Sequence, residues 1–191
     1  MHDLAPMTAL GSSDHRVDII SGVTLTENSA QAYASVAARL GKEDACQKHL
    51  TDLMSGAIPA PAKFITHDVM SAFWIGPNQW MVSAPFESHE DLAQQLKARF
   101  QDSASITEQT DAWVCFEMRG SEVNAVMQLC ANIDIEQMQP GDAVRSVIHY
   151  MGVYVIRTAS DALSILAGRS SAASLHHALV TAMRAALRQV P

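Results

Sequence analysis

Few side chains in this sequence could do chemistry, and their spacing says more than their number. His176 and His177 are adjacent, so on a helix they point about 100° apart, whereas a zinc-binding helix sets two ligands four residues apart on one face. His67, His89 and His149 have no Cys or carboxylate at ligand spacing and are expected to be solvated or core residues. There is no Gly-x-Ser-x-Gly elbow, and Ser170-Ser171 suits a helix N-cap, where a hydroxyl satisfies an unpaired backbone N–H. Glu117 and Asp134 would have to meet to act as an acid/base pair; nothing in the sequence brings them together, and both are expected to be solvated charges. Cys46, Cys115 and Cys130 are odd in number, far apart and without a Cys-x-x-Cys pair. That pattern predicts buried reduced thiols, not a disulfide framework or zinc site. The nine glycines contain no Gly-x-Gly, so neither a dinucleotide fingerprint nor a phosphate loop can be written. No catalytic, cofactor-binding or metal-ligating residue is therefore assigned.

Three residues are better placed for recognition. Trp74 and Trp80 bracket Gly76-Pro77-Asn78-Gln79, where Pro fixes φ and Asn tolerates unusual backbone angles, as a tight reversal requires. Alternation puts Met70, Ala72 and Trp74 on one face of the incoming strand and Trp80, Val82 and Ala84 on one face of the outgoing strand. Phe73 and Ile75 leave the opposite face apolar as well, so the hairpin could serve as core or as a docking edge for a partner. Arg169 lies between Gly168 and Ser170 at the start of a helix whose N-terminus repels a cation. It gains nothing locally, and pairing with a distant carboxylate is expected. Trp74, Trp80 and Arg169 are the candidate interface residues.

These positions need a scaffold, and 191 residues suffice for one large domain or two small halves. A hydrophobic content of 48% with 17% charged residues predicts a folded chain whose apolar surface favours burial in an assembly. The formal charge of −7 opposes nonspecific nucleic-acid binding, which needs a basic footprint. No stretch approaches the roughly 20 apolar residues of a membrane helix. Residues 1–14 show no basic region followed by an apolar run, so a cytoplasmic location is expected. Residues 169–191 hold three arginines and no acid; Arg184 and Arg188 suit the C-terminal end of a helix dipole.

Residues 1–16 read as a flexible leader, with 17–191 a single domain of two halves meeting near residue 110. A strand is predicted over Val17 to Leu25, then an Ala-rich helix from Asn28 to Leu40 stopped by Gly41. A second helix spans Lys42 to Met54. Strands follow at Phe64 to His67 and through the hairpin from Met70 to Ala84. Ser88-His89-Glu90-Asp91 resembles a capping signature before a helix carrying Leu92, Leu96 and Phe100. A short strand at Ala104 to Glu108 ends the first half. The second half reads as a strand at Ala112 to Met118, in which Trp113, Cys115 and Glu117 alternate with Val114, Phe116 and Met118, a helix to about Cys130, and a turn at Pro140-Gly141-Asp142. Strands at Val144 to Tyr150, Val153 to Arg157 and Ala162 to Leu166 follow, broken at Gly152 and Ser160-Asp161. A long helix then carries Leu175, Leu179, Ala182, Met183 and Ala186 on one stripe. The order β-α-β-β-β-α predicts α+β: antiparallel sheets with helices packed on one face, in two intertwined halves.

Trp74-Ile75-Gly76-Pro77-Asn78-Gln79-Trp80, Asp111-Ala112-Trp113 through Gly120, Ile133-Asp134 and Arg169-Ser170 together resemble the gamma subunit of heterotetrameric sarcosine oxidase, in order over about residues 15–188. The resemblance implies a non-catalytic subunit of an alpha-beta-gamma-delta complex. That complex oxidatively demethylates sarcosine to glycine, passing the one-carbon unit to tetrahydrofolate or releasing formaldehyde. It further implies that FAD, FMN, NAD and tetrahydrofolate belong to the partner subunits. The fold implied is similar to the folate-binding region of the glycine-cleavage aminomethyltransferase, which raises the alternative of a stand-alone folate-dependent enzyme. That family carries a Gly-Gly-x-x-Asp-Asp type signature on a hairpin where this chain has Tyr150-Met151-Gly152-Val153-Tyr154-Val155. One glycine and both acids are missing, so its active site is not carried over. A third reading is a free-standing ligand-binding or regulatory α+β module.

Overall fold

A computed structural model describes residues 6–187; Arg188 lies outside the described residues. In chain order, the first strands are β1 (Val17–Ile20), β2 (Val23–Asn28) and β3 (Gln31–Ala38), followed by helix α1 (Glu43–Leu53). Strands β4 (Phe64–His67), β5 (Met70–Gly76) and β6 (Gln79–Pro85) precede helix α2 (Leu92–Phe100) and strand β7 (Ala104–Glu108). The remainder comprises β8 (Trp113–Arg119), α3 (Val123–Cys130), β9 (Ala143–Ile148), β10 (Met151–Ala159), β11 (Ala162–Gly168) and α4 (Ala172–Leu187). The fold class is α+β with two antiparallel sheets, as expected. Two compact units divide it: Ala30–Thr110, and the flanking sequence up to Ser29 and from Asp111 onward.

The Ala30–Thr110 unit is a five-stranded sheet in the order β4-β5-β6-β3-β7. Its core joins Ala32, Ala34 and Val36 of β3 and Ala72, Trp80, Val82 and Ala84 of the hairpin to Cys46 and Leu50 of α1 and Leu92, Leu96 and Phe100 of α2. The helix expected over Asn28 to Leu40 is instead strand β3. Alanine favours helices, but Ala32, Ala34 and Val36 are fully buried at a period of two, and β3 pairs on both edges, with β6 and with β7. Packing on a sheet overrides propensity here, and the small side chains let two helices rest on the strand. Capping is also corrected: Ser88 lies in a 3-10 turn over Phe86–Ser88, while the N-cap of α2, Asp91, makes no side-chain cap bond and accepts from Gln95 Nε2 at 2.6 Å.

In the other unit a six-stranded sheet runs β1-β2-β8-β11-β10-β9. Val23 and Leu25, Val114, Phe116 and Met118, and Val153 and Val155 share a core with Val126 and Met127 of α3 and Leu175, Leu179 and Met183 of α4. The alternation read for β8 and the stripe read for α4 thus both point into one core. The single strand expected over Val17 to Leu25 is a hairpin, reversed at Ser21 (φ 45°) and Gly22 (φ 82°). Gly120 (φ 143°) must be glycine, because a Cβ there would lie 2.7 Å from the Gly22 carbonyl oxygen.

The break expected at Gly152 falls elsewhere. Gly152 pairs with Val147 inside the β9–β10 ladder, and the chain reverses at His149 (φ 45°) and Tyr150 (φ 68°). Two consecutive residues at positive φ give the two-residue hairpin turn that matches strand twist, a place usually filled by Asn-Gly. A histidine and a tyrosine there each carry about 1–2 kcal/mol of steric cost. Residues 8–16, read as part of a leader, carry specific contacts: Thr8 is buried, and the Leu10 amide donates to Glu27 Oε1 at 2.9 Å.

Candidate functional site

The tryptophan hairpin forms as the turn chemistry requires. Asn78 takes φ 55°, a register shift falls between Trp74 and Gly76, and Trp74 stands directly opposite Trp80. Asn78 also ties the turn to its surroundings: its carbonyl accepts from the Ala38 amide at 3.0 Å and its Oδ1 accepts from Gln47 Nε2 at 3.2 Å. Trp80 is 3% exposed and its indole N–H donates to the Pro59 carbonyl at 3.0 Å. A buried indole with its polar atom satisfied is an anchor for the core and the Pro59 loop. Trp74 is half-buried and packs against the same core. The two tryptophans are brought together, and of the pair only Trp74 retains surface.

Arg169 belongs to the other unit. It finds the carboxylate that its cost-bearing location predicted: Nη1 lies 3.4 Å from Asp111 Oδ1, and Nη2 donates to the Met7 carbonyl at 2.9 Å. It opens a 3-10 turn (Arg169–Ser171) that leads directly into α4.

His176 and His177 diverge as adjacent helical residues must. His177 is exposed, and His176 Nε2 sits 2.7 Å from Asp18 Oδ2 on β1. Arg16 closes on the same carboxylate with Nε and Nη2, each at 3.0 Å, and the Phe116 ring lies 5.8 Å from the imidazole. The Arg16 side chain, aided to a lesser degree by His176, holds the Asp18 carboxyl below its ordinary value against the opposing effect of burial. This cluster fixes edge strand β1 to α4. Sequence reasoning missed it because its members are 158 residues apart.

Glu117 and Asp134 do not act together. Asp134 is exposed, while Glu117 accepts from Asn28 Nδ2 at 2.6 Å and pairs with Arg119 Nη2 at 3.1 Å. Register places Thr26 and Ser164 on either side of Glu117, and Trp113 and Tyr154 meet 5.6 Å apart on the same sheet. The result is a polar row across three strands on the face away from the helices. Through its two carboxylate oxygens Glu117 ties the end of β2 to β8.

Two charged residues, Glu27 and Arg157, are also buried. Glu27, 1% exposed, receives the Leu10 and Arg16 amides at 2.9 and 3.4 Å. Arg157, 3% exposed, donates through Nη2 to Asn124 Oδ1 at 2.6 Å and the Ile135 carbonyl at 3.1 Å, and through Nη1 to the Ser160 carbonyl at 2.7 Å. Both organise loops. Burial pushes the thiols of Cys46 and Cys130 up to about 11, so neither is a nucleophile at neutral pH. Among the described residues no group of three or more His, Cys, Asp or Glu side chains is placed to hold a metal ion, and no helix is long and apolar enough to cross a membrane.

The hairpin that would have to supply a folate-handling acid carries none. Tyr150 is its fully exposed tip, and Asp142 and Asp161 are the first acids outside Ala143 to Arg157. The residues present do not fit that role.

No protein-family model matches the chain, and no curated protein matches it in sequence. Solved structures do share its fold. A chain of the heterotetrameric sarcosine oxidase from Corynebacterium sp. U-96, in complex with pyrrole 2-carboxylate, matches with a TM-score of 0.74 at 19% identity. The match spans 88% of this chain and 87% of that one. The glycine cleavage system aminomethyltransferase T from Bartonella henselae matches with a TM-score of 0.64 at 12% identity over 84% of this chain, which spans only 46% of the transferase. The fold is thus one found in a chain of heterotetrameric sarcosine oxidase and in part of an aminomethyltransferase.

Proposed function

We propose that this chain is a non-catalytic, gamma-type subunit of a heterotetrameric sarcosine oxidase, working in the cytoplasm beside alpha, beta and delta chains. On this reading the partner chains hold FAD, FMN, NAD and tetrahydrofolate and carry out the oxidative demethylation of sarcosine to glycine. The present chain supplies assembly and wall surface, with Trp74 and Arg169 at or near its contacts and Trp80 supporting Trp74 from the core. The observation that carries the reading is the reciprocal match: most of this chain corresponds to most of a sarcosine oxidase chain, whereas it corresponds to under half of the transferase. The hairpin without an acid supports an accessory role.

Purification of the tagged full-length chain from its native cell tests this. Flavin-containing chains should co-purify, with sarcosine-dependent oxygen uptake in the complex and none in the separated chain. A solitary chain that transfers methylene groups to tetrahydrofolate would overturn the proposal in favour of a stand-alone transferase.

A further inference from the structure

The tip of the β9–β10 hairpin combines three features that folding does not require. Tyr150 is 100% exposed, so it contributes no packing within the chain. It and His149 occupy positive φ, where asparagine and glycine would be free of steric cost. Behind them on edge strand β9 stand Val147, 53% exposed, and exposed Arg145. Gly152, opposite Val147, leaves open space beside it, since a Cβ there would meet nothing within 4 Å. Strain kept at an exposed aromatic points to a use at the surface.

Charge identifies the occupant. The chain carries −7 overall, yet from Ala143 to Arg157 there is no Asp or Glu. The tip therefore sets an exposed aromatic and the exposed cation Arg145 side by side, with no acid in the hairpin, on an acidic protein. We propose that it docks into a partner protein, with Tyr150 filling an apolar pocket and a carboxylate on the pocket rim meeting Arg145. Tyrosine and arginine are the residue types that anchor interfaces. A second copy is a poor occupant: two prongs meeting about a two-fold axis would bring Arg145 against Arg145 with no acid between them, and a head-to-tail contact would propagate into filaments. This inference rests on the subunit reading above for the partner's existence, and adds where on this chain the contact lies.

The double variant His149→Asn with Tyr150→Gly supplies the preferred turn while removing the prong, so its melting temperature should rise above that of the parent chain. Tagged parent and variant chains purified from the native cell are compared for the flavin-containing chains they retain. The variant should retain them with an affinity lower on the order of 10–100-fold, as for loss of an interface anchor. Arg145→Glu should weaken retention too, and the parent's retention should fall with added salt. A photo-crosslinking residue at position 150 should attach to a partner segment with a carboxylate beside apolar side chains. A stabilised variant that retains its partners in full overturns the prong while leaving the subunit reading intact; so do crosslinks that land only on a second copy of this chain. A parent chain that retains no flavin-containing partner overturns both.

Discussion

Asp18 shows how a single side chain can hold an edge. It receives Arg16 and His176 from two directions while only 15% exposed, so charge ties strand β1 to α4 beside the partly buried Ile20, while Val17 and Ile19 on the other face are exposed. Because the Arg16 and His176 contacts lower the folded carboxyl below the ordinary value of 3.8, its stabilising contribution is complete above that value. The contribution is lost as pH falls through the lower folded value. Asp18→Asn should therefore cost about 1 kcal/mol at neutral pH, the worth of a partly screened charged hydrogen bond. The gap to the parent should close in urea titrations carried below the ordinary carboxylate range. A gap that stays constant down to about pH 2.5 would show that the pair does not act through ionisation. The sequence held no sign of this cluster, since a contact between β1 and α4 depends on the whole unit having folded.

At the scale of elements, what was legible followed one rule. Where a local signal and burial agree, as in the Pro77-Asn78 turn, the alternation of β8 and the stripe of α4, sequence and structure coincide. Where burial depends on distant partners they part, and β3 is the clearest case. Its alanines favour a helix by themselves, and only the strands on either side and the two helices above make an extended conformation the better one. Leu, Ile and Val would have announced a strand; alanine is used because two helices need the space. Ala34, fully buried at the middle of β3, should then not tolerate enlargement. Ala34→Leu should cost about 1–3 kcal/mol through overpacking. Ala38→Leu, at the half-buried end of the same strand, should cost well under 1 kcal/mol. Equal losses from the two in thermal or urea unfolding would mean that β3 is not the platform on which α1 and α2 rest. The His149-Tyr150 reversal was missed for the opposite reason: glycine is the usual sign of such a turn, and Gly152 attracted the break while two residues unsuited to positive φ carried it.

At the scale of the whole chain, Ala30–Thr110 is a contiguous insertion into a unit made from both ends of the sequence. The register explains how that is possible. Asn28, the last residue of β2, pairs with Cys115 of β8, so the polypeptide leaves the six-stranded sheet and returns to it at adjoining strands. Such a pairing spans the full insertion and leaves no mark on composition; only the change in strand pattern near residue 110 hints at it. The insertion has its own sheet, two helices and a shared apolar core. A fragment of residues 30–110 should therefore fold alone, with mixed helix and strand by circular dichroism and one cooperative urea transition, its slope at the low end of about 1–3 kcal/mol/M. The flanking residues 1–29 and 111–191, supplied as separate peptides, should not, because β2 can pair with β8 only after a costly association that the insertion makes intramolecular. A fragment 30–110 without a cooperative transition would mean that its core, though contiguous in sequence, is too small to hold the strand β3 against its own helical preference.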